Sequence, residues 1–106
     1  MRSESPAAAD AAIAYIWVSP AVGLSADGQA ERIRRHCQAQ RWTIRNELRA
    51  RRFPELTELT QRLAEDDARR VVMVREALTD LEKRFPEAWR GVRARVEAHG
   101  AVIIAL

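Results

Sequence analysis

Short runs of β-branched and aromatic residues alternate along this chain with stretches whose apolar residues recur every three or four positions. Such alternation restricts the fold to a parallel sheet built from strand–helix–strand units. The first run, Ile13 to Ser19, is apolar on both faces, as a strand in the middle of such a sheet must be. Pro20 and Gly23 end it. A helix is predicted from Ser25, which can cap it, with Asp27 well placed in the first turn. Ala26, Ala30, Ile33 and Cys37 form its apolar stripe, and Arg32, Arg34, Arg35 and Gln38 lie off it. Residues 42–48 predict a shorter, less apolar strand near an edge, followed by a loop over 50–53. Pro54 opens a second helix along Leu56, Leu59 and Leu63, closed by Glu65-Asp66-Asp67.

The clearest strand is Val71-Val72-Met73-Val74, within 69–74. A short amphipathic helix over 77–85 follows, then a last helix from Pro86 buried through Trp89, Val92 and Val96. Gly100 suits a left-handed helix end, and 101–106 reads as a final buried strand. Residues 1–11, small and polar, read as a mobile tail, leaving 12–106 as one domain. The prediction is an α/β fold: a four-stranded parallel sheet with right-handed crossovers and helices on both faces. Ligands in such sheets sit at the carboxyl ends of the strands. Those ends offer Ser19, Arg45, Asn46, Arg75 and Glu76.

Charge and the absence of standard motifs narrow the chemistry. Lys83 is the lone lysine among 18 basic side chains, which face 15 acidic ones for a net charge of +3. Arginine can grip phosphate with two hydrogen bonds, but an excess of three charges is a weak field for nucleic acid. No apolar run approaches the ~20 residues of a membrane span. Met1 to Ala12 lacks the basic end and apolar stretch of a signal peptide, so a cytoplasmic location is expected. There is no glycine-rich dinucleotide turn, no phosphate loop and no GxSxG elbow around Ser19. His36 and His99 lie far along helices, where neither serves Ser19 as a base. Cys37 sits on an apolar stripe and reads as core. The acids Glu65 to Asp67 are consecutive and need not converge on a metal. No metal or cofactor is expected.

The residues also resemble a known family. Tyr15-Ile16-Trp17-Val18-Ser19 resembles the Y-A-R-V-S segment that opens the catalytic domain of serine recombinases, the resolvases and DNA invertases. Residues 24–42 resemble that family's first helix. Residues 52–76 resemble its R-P-x-L-x-x-L helix, acidic turn and following strand, and 92–106 resemble its helix ending in G-V and the next strand. The resemblance implies a three-layer, resolvase-like domain of flavodoxin-like topology. It implies chemistry in which a serine attacks a DNA phosphodiester while arginines offset the charge that develops.

Transferred residue by residue, Ser19 matches the nucleophile. The arginine two positions earlier is replaced by Trp17. The family's L-D-R-L-x-R segment falls on Ala77 to Glu82, so Leu78, Thr79 and Glu82 stand where it has Asp, Arg and Arg. The arginine of the R-P-x-L segment falls on Phe53, or on Arg52 with one inserted residue. Lys83 and Arg84 supply charge only if the register shifts. The family's long dimer helix and helix-turn-helix have no counterpart in 1–106. The expectation is therefore a degenerate domain that has lost strand exchange and acts through protein contacts, as a homodimer or with another protein, with Trp17 turned to packing or to a contact surface. An active cleaving enzyme would use Ser19 with Arg45, Arg52, Arg75 and Arg84. A phosphate or nucleic-acid binding module without chemistry would use Arg32, Arg35, Arg51, Arg52 and Arg69.

Overall fold

The computed structural model describes residues 10–52 and 57–106. They form β1 (Ala11–Trp17), a 3₁₀ turn (Pro20–Val22), α1 (Ala26–Gln40), β2 (Thr43–Ala50), α2 (Thr57–Asp66), β3 (Arg70–Met73), α3 (Arg75–Arg84), α4 (Pro86–Ala98) and β4 (Val102–Ala105). The four strands make one all-parallel sheet in the order β2-β1-β3-β4, flanked by helices in a flavodoxin-like three-layer arrangement. Every residue of β1 is buried, as its unbroken apolar run requires of a central strand. Ala11, grouped with the tail by the sequence, is the first residue of that strand; residues 1–9 lie outside the described part of the chain.

The two faces of the sheet are identified by what the side chains touch. Tyr15 packs against Trp89 of α4, with ring centroids 6.2 Å apart, and Trp17 meets Phe85 edge-on at 6.0 Å. Alternate residues of β1 point to the other face, where, among the described residues, α1 is the one helix and buries Ala30, Ile33 and Cys37. On β2, Glu47 and Arg49 form ion pairs with Arg34 and Asp27 of α1, whereas Asn46 reaches Asp66 of α2 at 3.5 Å. Ser25 caps α1 through its side-chain oxygen, which accepts from the Gly28 N–H at 3.0 Å.

Several boundaries differ from the sequence prediction. β2 runs on through Arg49 and Ala50, because the pairing with β1 continues to Trp17. β3 stops at Met73 and Val74 becomes the residue before α3, so Arg75 and Glu76 occupy that helix's first turn. The Pro54 start and Leu56 of the second helix fall outside the described residues. β4 is an edge strand rather than a buried one, with Val102 53% exposed and its other residues half-covered. Gly100 takes the predicted left-handed turn at φ 81°.

Candidate functional site at the carboxyl end of the first strand

Parallel pairing decides which arginines meet Ser19. β1 and β2 stay in register to their last residues, with Trp17 beside Ala50, and the Val18 N–H bonds the Ala50 carbonyl at 2.8 Å. Segments leaving the two strands therefore travel together, which sets Arg51 and Arg52 next to Ser19. Arg84, at the end of α3, approaches from the face where Trp17 packs. These four residues, with Trp17, Val18, Pro20 and Phe85, line a shallow cavity of about 260 Å³.

Ser19 is buried and extended (φ −150°, ψ 137°), and it caps the 3₁₀ turn. Its Oγ accepts from the Ala21 N–H at 3.3 Å and from Arg84 Nη1 at 3.1 Å. The same Arg84 nitrogen lies 3.4 Å from Asp80 Oδ2, and its guanidinium stands over the Phe85 ring, 5.4 Å from the centroid. Asp80 is buried, and its Oδ2 also accepts the Trp17 indole N–H at 2.7 Å. A chain of polar contacts thus runs from Trp17 through Asp80 and Arg84 to Ser19. Asp80 and Arg84 are four apart on one helix, so they share a face. Trp17 is 2% exposed. It is a core residue whose polar edge anchors the site, so of the two expectations for Trp17, packing or a contact surface, the fold takes packing.

Gln29 supports this end of β1 from the other face. β3 pairs with β1 only as far as Ala14, so among the described residues Trp17 has no strand neighbour on that side. The fully buried Gln29 takes the place of one. Its Oε1 accepts from the Trp17 N–H at 3.1 Å, and its Nε2 donates to the Trp17 carbonyl at 2.8 Å.

The remaining predicted residues lie elsewhere. Arg45 sits in the first half of β2, where a register shift falls between Ala12 and Ile13 of its partner strand. Six strand positions at about 3.3 Å each put it roughly 20 Å from Ser19. Arg75 turns toward β4 and donates to the Ala105 carbonyl at 3.4 Å. Asn46 is engaged with Asp66, and Glu76 with Arg32 at 2.9 Å. The broader arginine set is scattered: Arg32 and Arg35 pair with Glu76 and Glu31, and Arg69 precedes β3 at the opposite end of the sheet. Leu78 is buried, and Glu82 points to Arg93 at 3.5 Å. The helix row that faces Ser19 instead carries Asp80 and Arg84, two positions further on. Among the described residues, no group of three or more His, Cys, Asp or Glu side chains is arranged to hold a metal, and no helix is long and apolar enough to cross a membrane.

Chemically, the site is a set of donors. The Ser19 hydroxyl already accepts two hydrogen bonds, which leaves its own proton to be given away. Neither histidine serves it: His36 stacks edge-on against Trp42 at 5.5 Å, and His99 ends α4. One hydroxyl and three guanidinium groups around a shallow cavity suit a tetrahedral oxyanion. Burial pushes the Cys37 thiol up from its ordinary range, with Arg70 opposing, as befits a core residue. The Glu76 carboxyl is held below its ordinary range, first by its own backbone N–H and then by Arg32. Comparison with known proteins finds no matching family model, no similar curated protein and no similar solved structure.

Proposed function

We propose that this chain is a serine-recombinase-like domain that has lost strand exchange and holds a phosphodiester in the Ser19 cavity without cleaving it. The observation that carries this reading is the 3.1 Å contact from Arg84 to the Ser19 hydroxyl, in a cavity that Arg51 and Arg52 also line. The degenerate alignment of Leu78, Thr79 and Glu82 leaves the hydroxyl without cations, and Arg84 supplies one from a shifted register. Binding and cleavage make different demands. Holding a phosphate needs donors, which this cavity has. Cleavage needs an activated serine and donors fixed around the transition state, and each missing donor costs on the order of 10²–10³ in rate. Trp17 occupies the position of one such arginine, and its side chain spends its only polar hydrogen on Asp80. A domain of this kind serves as a regulatory or assembly partner, alone as a homodimer or beside another protein on the same nucleic acid.

The test is fluorescence anisotropy of a labelled single-stranded oligonucleotide across a salt series, alongside a nicking assay on supercoiled plasmid. Arg84→Ala is expected to weaken binding about tenfold or more, since a hydrogen bond to a charged group contributes roughly 1.5–3 kcal/mol. It should also lower the salt slope by about one. Unchanged affinity in Arg84→Ala would remove the basis for a phosphate site. Plasmid nicking that Ser19→Ala abolishes would replace the reading with an active enzyme.

A further inference from the structure

We propose that the crevice between α1 and α3 binds a small amphipathic anion: a compact apolar body carrying one carboxylate, sulfonate or phosphate group. The sheet order reverses between β1 and β3. From β1 the chain crosses to β2 through α1 on one face, and from β3 it crosses to β4 through α3 and α4 on the other. Connections that diverge in this way leave a cleft at the carboxyl ends of the strands. Here the cleft is a cavity of about 570 Å³, within the span usual for small-molecule sites.

Its chemistry selects the ligand. Ala21, Val22 and Leu106 supply apolar wall, with Thr79, Arg75 and Lys83 as polar groups around it. The two acidic side chains that line the cavity are already engaged within the protein, Glu76 by Arg32 at 2.9 Å, and Asp80 by Arg84 at 3.4 Å and the Trp17 indole N–H at 2.7 Å. Among the described residues Lys83 makes no ion pair, and the Arg75 guanidinium donates only to the neutral Ala105 carbonyl. The charge left open to a ligand is therefore positive, beside an apolar wall. This cavity is separate from the Ser19 site: Ser19 and Pro20 line one, Ala21 and Val22 the other.

The probe is 1-anilinonaphthalene-8-sulfonate, followed by its fluorescence and by amide chemical shifts of the labelled full chain. Saturable one-to-one binding is expected, with shifts centred on Val22, Thr79 and Lys83. Thr79→Trp, which fills the cavity, and Lys83→Glu, which reverses its free charge, should each weaken binding at least tenfold. The uncharged analogue N-phenyl-1-naphthylamine should bind at least tenfold more weakly than the sulfonate. Inorganic phosphate, lacking an apolar body, should leave the Val22, Thr79 and Lys83 amides unmoved. Shifts centred elsewhere, equal affinity for the uncharged analogue, or unchanged affinity in Lys83→Glu would each overturn the proposal. None of these outcomes depends on Arg84, so the Ser19 reading stands or falls separately.

Discussion

Replacing Asp80 by alanine should destabilise the domain by about 1–3 kcal/mol. The carboxylate is buried and accepts the Trp17 indole N–H at 2.7 Å. Its removal leaves that donor sealed in the core without a partner, a loss of about 1–3 kcal/mol. The second contact, to Arg84 at 3.4 Å, adds little, because Arg84 is about half exposed and water takes over its solvation. With a urea dependence of about 1 kcal/mol per molar for a small domain, the denaturation midpoint should fall by about 2 M. Trp17→Phe removes the same bond from the other side. In the double variant neither orphan remains, so the two losses should fall short of additivity by about 1 kcal/mol or more. Urea titrations of the four proteins, followed by far-ultraviolet circular dichroism, measure this directly. An Asp80→Ala loss below about 0.5 kcal/mol, or strictly additive losses, would refute the contact as a structural tie.

Gln29→Leu should lower the melting temperature by about 10 °C or more in calorimetry, because it strands both the N–H and the carbonyl of Trp17. Cys37 should react with a disulfide reagent at pH 8 more than about 10³-fold slower in the native protein than in urea, because burial both hides the thiol and disfavours its thiolate. Rates within tenfold of each other would contradict its core placement. The Glu76 carboxyl, held low in the folded state, adds stability that is present above its unfolded value and disappears as pH falls through its folded value. Glu76→Gln should therefore be less stable at pH 7, by no more than about 1 kcal/mol for so exposed a pair, and equal to the parent in strong acid.

The layers of this fold were legible because each strand and helix carries its own period. Buried Trp89, Val92 and Val96 on α4 lie where that spacing places them. Strand ends were less legible, since pairing rather than composition sets them. Ala50 looks like loop until the register with Trp17 draws it, along with Arg49, into β2. That extension of the strand carries Arg45 away from Ser19 and brings Arg51 and Arg52 toward it. The polar supports left a fainter trace. Gln29 follows Ala26 by three and Asp80 follows Ala77 by three, so helical spacing alone puts both polar side chains on buried faces. A carboxamide or carboxylate at such a position needs a partner inside. Which partner it finds depends on a strand distant in sequence, and no local pattern names it. Arg84 was open to discovery for the same reason, standing one turn beyond Asp80.

The most direct measurement follows the Ala21 amide, which donates to Ser19, in heteronuclear spectra of the labelled protein titrated with inorganic phosphate. A saturable shift there that weakens about tenfold in Arg84→Ala, with the protein's mass unchanged after prolonged incubation with DNA, is the predicted result. An Ala21 amide that does not respond to phosphate, or a mass gain at Ser19 from covalently attached DNA, would contradict a serine site that holds phosphate and leaves it whole.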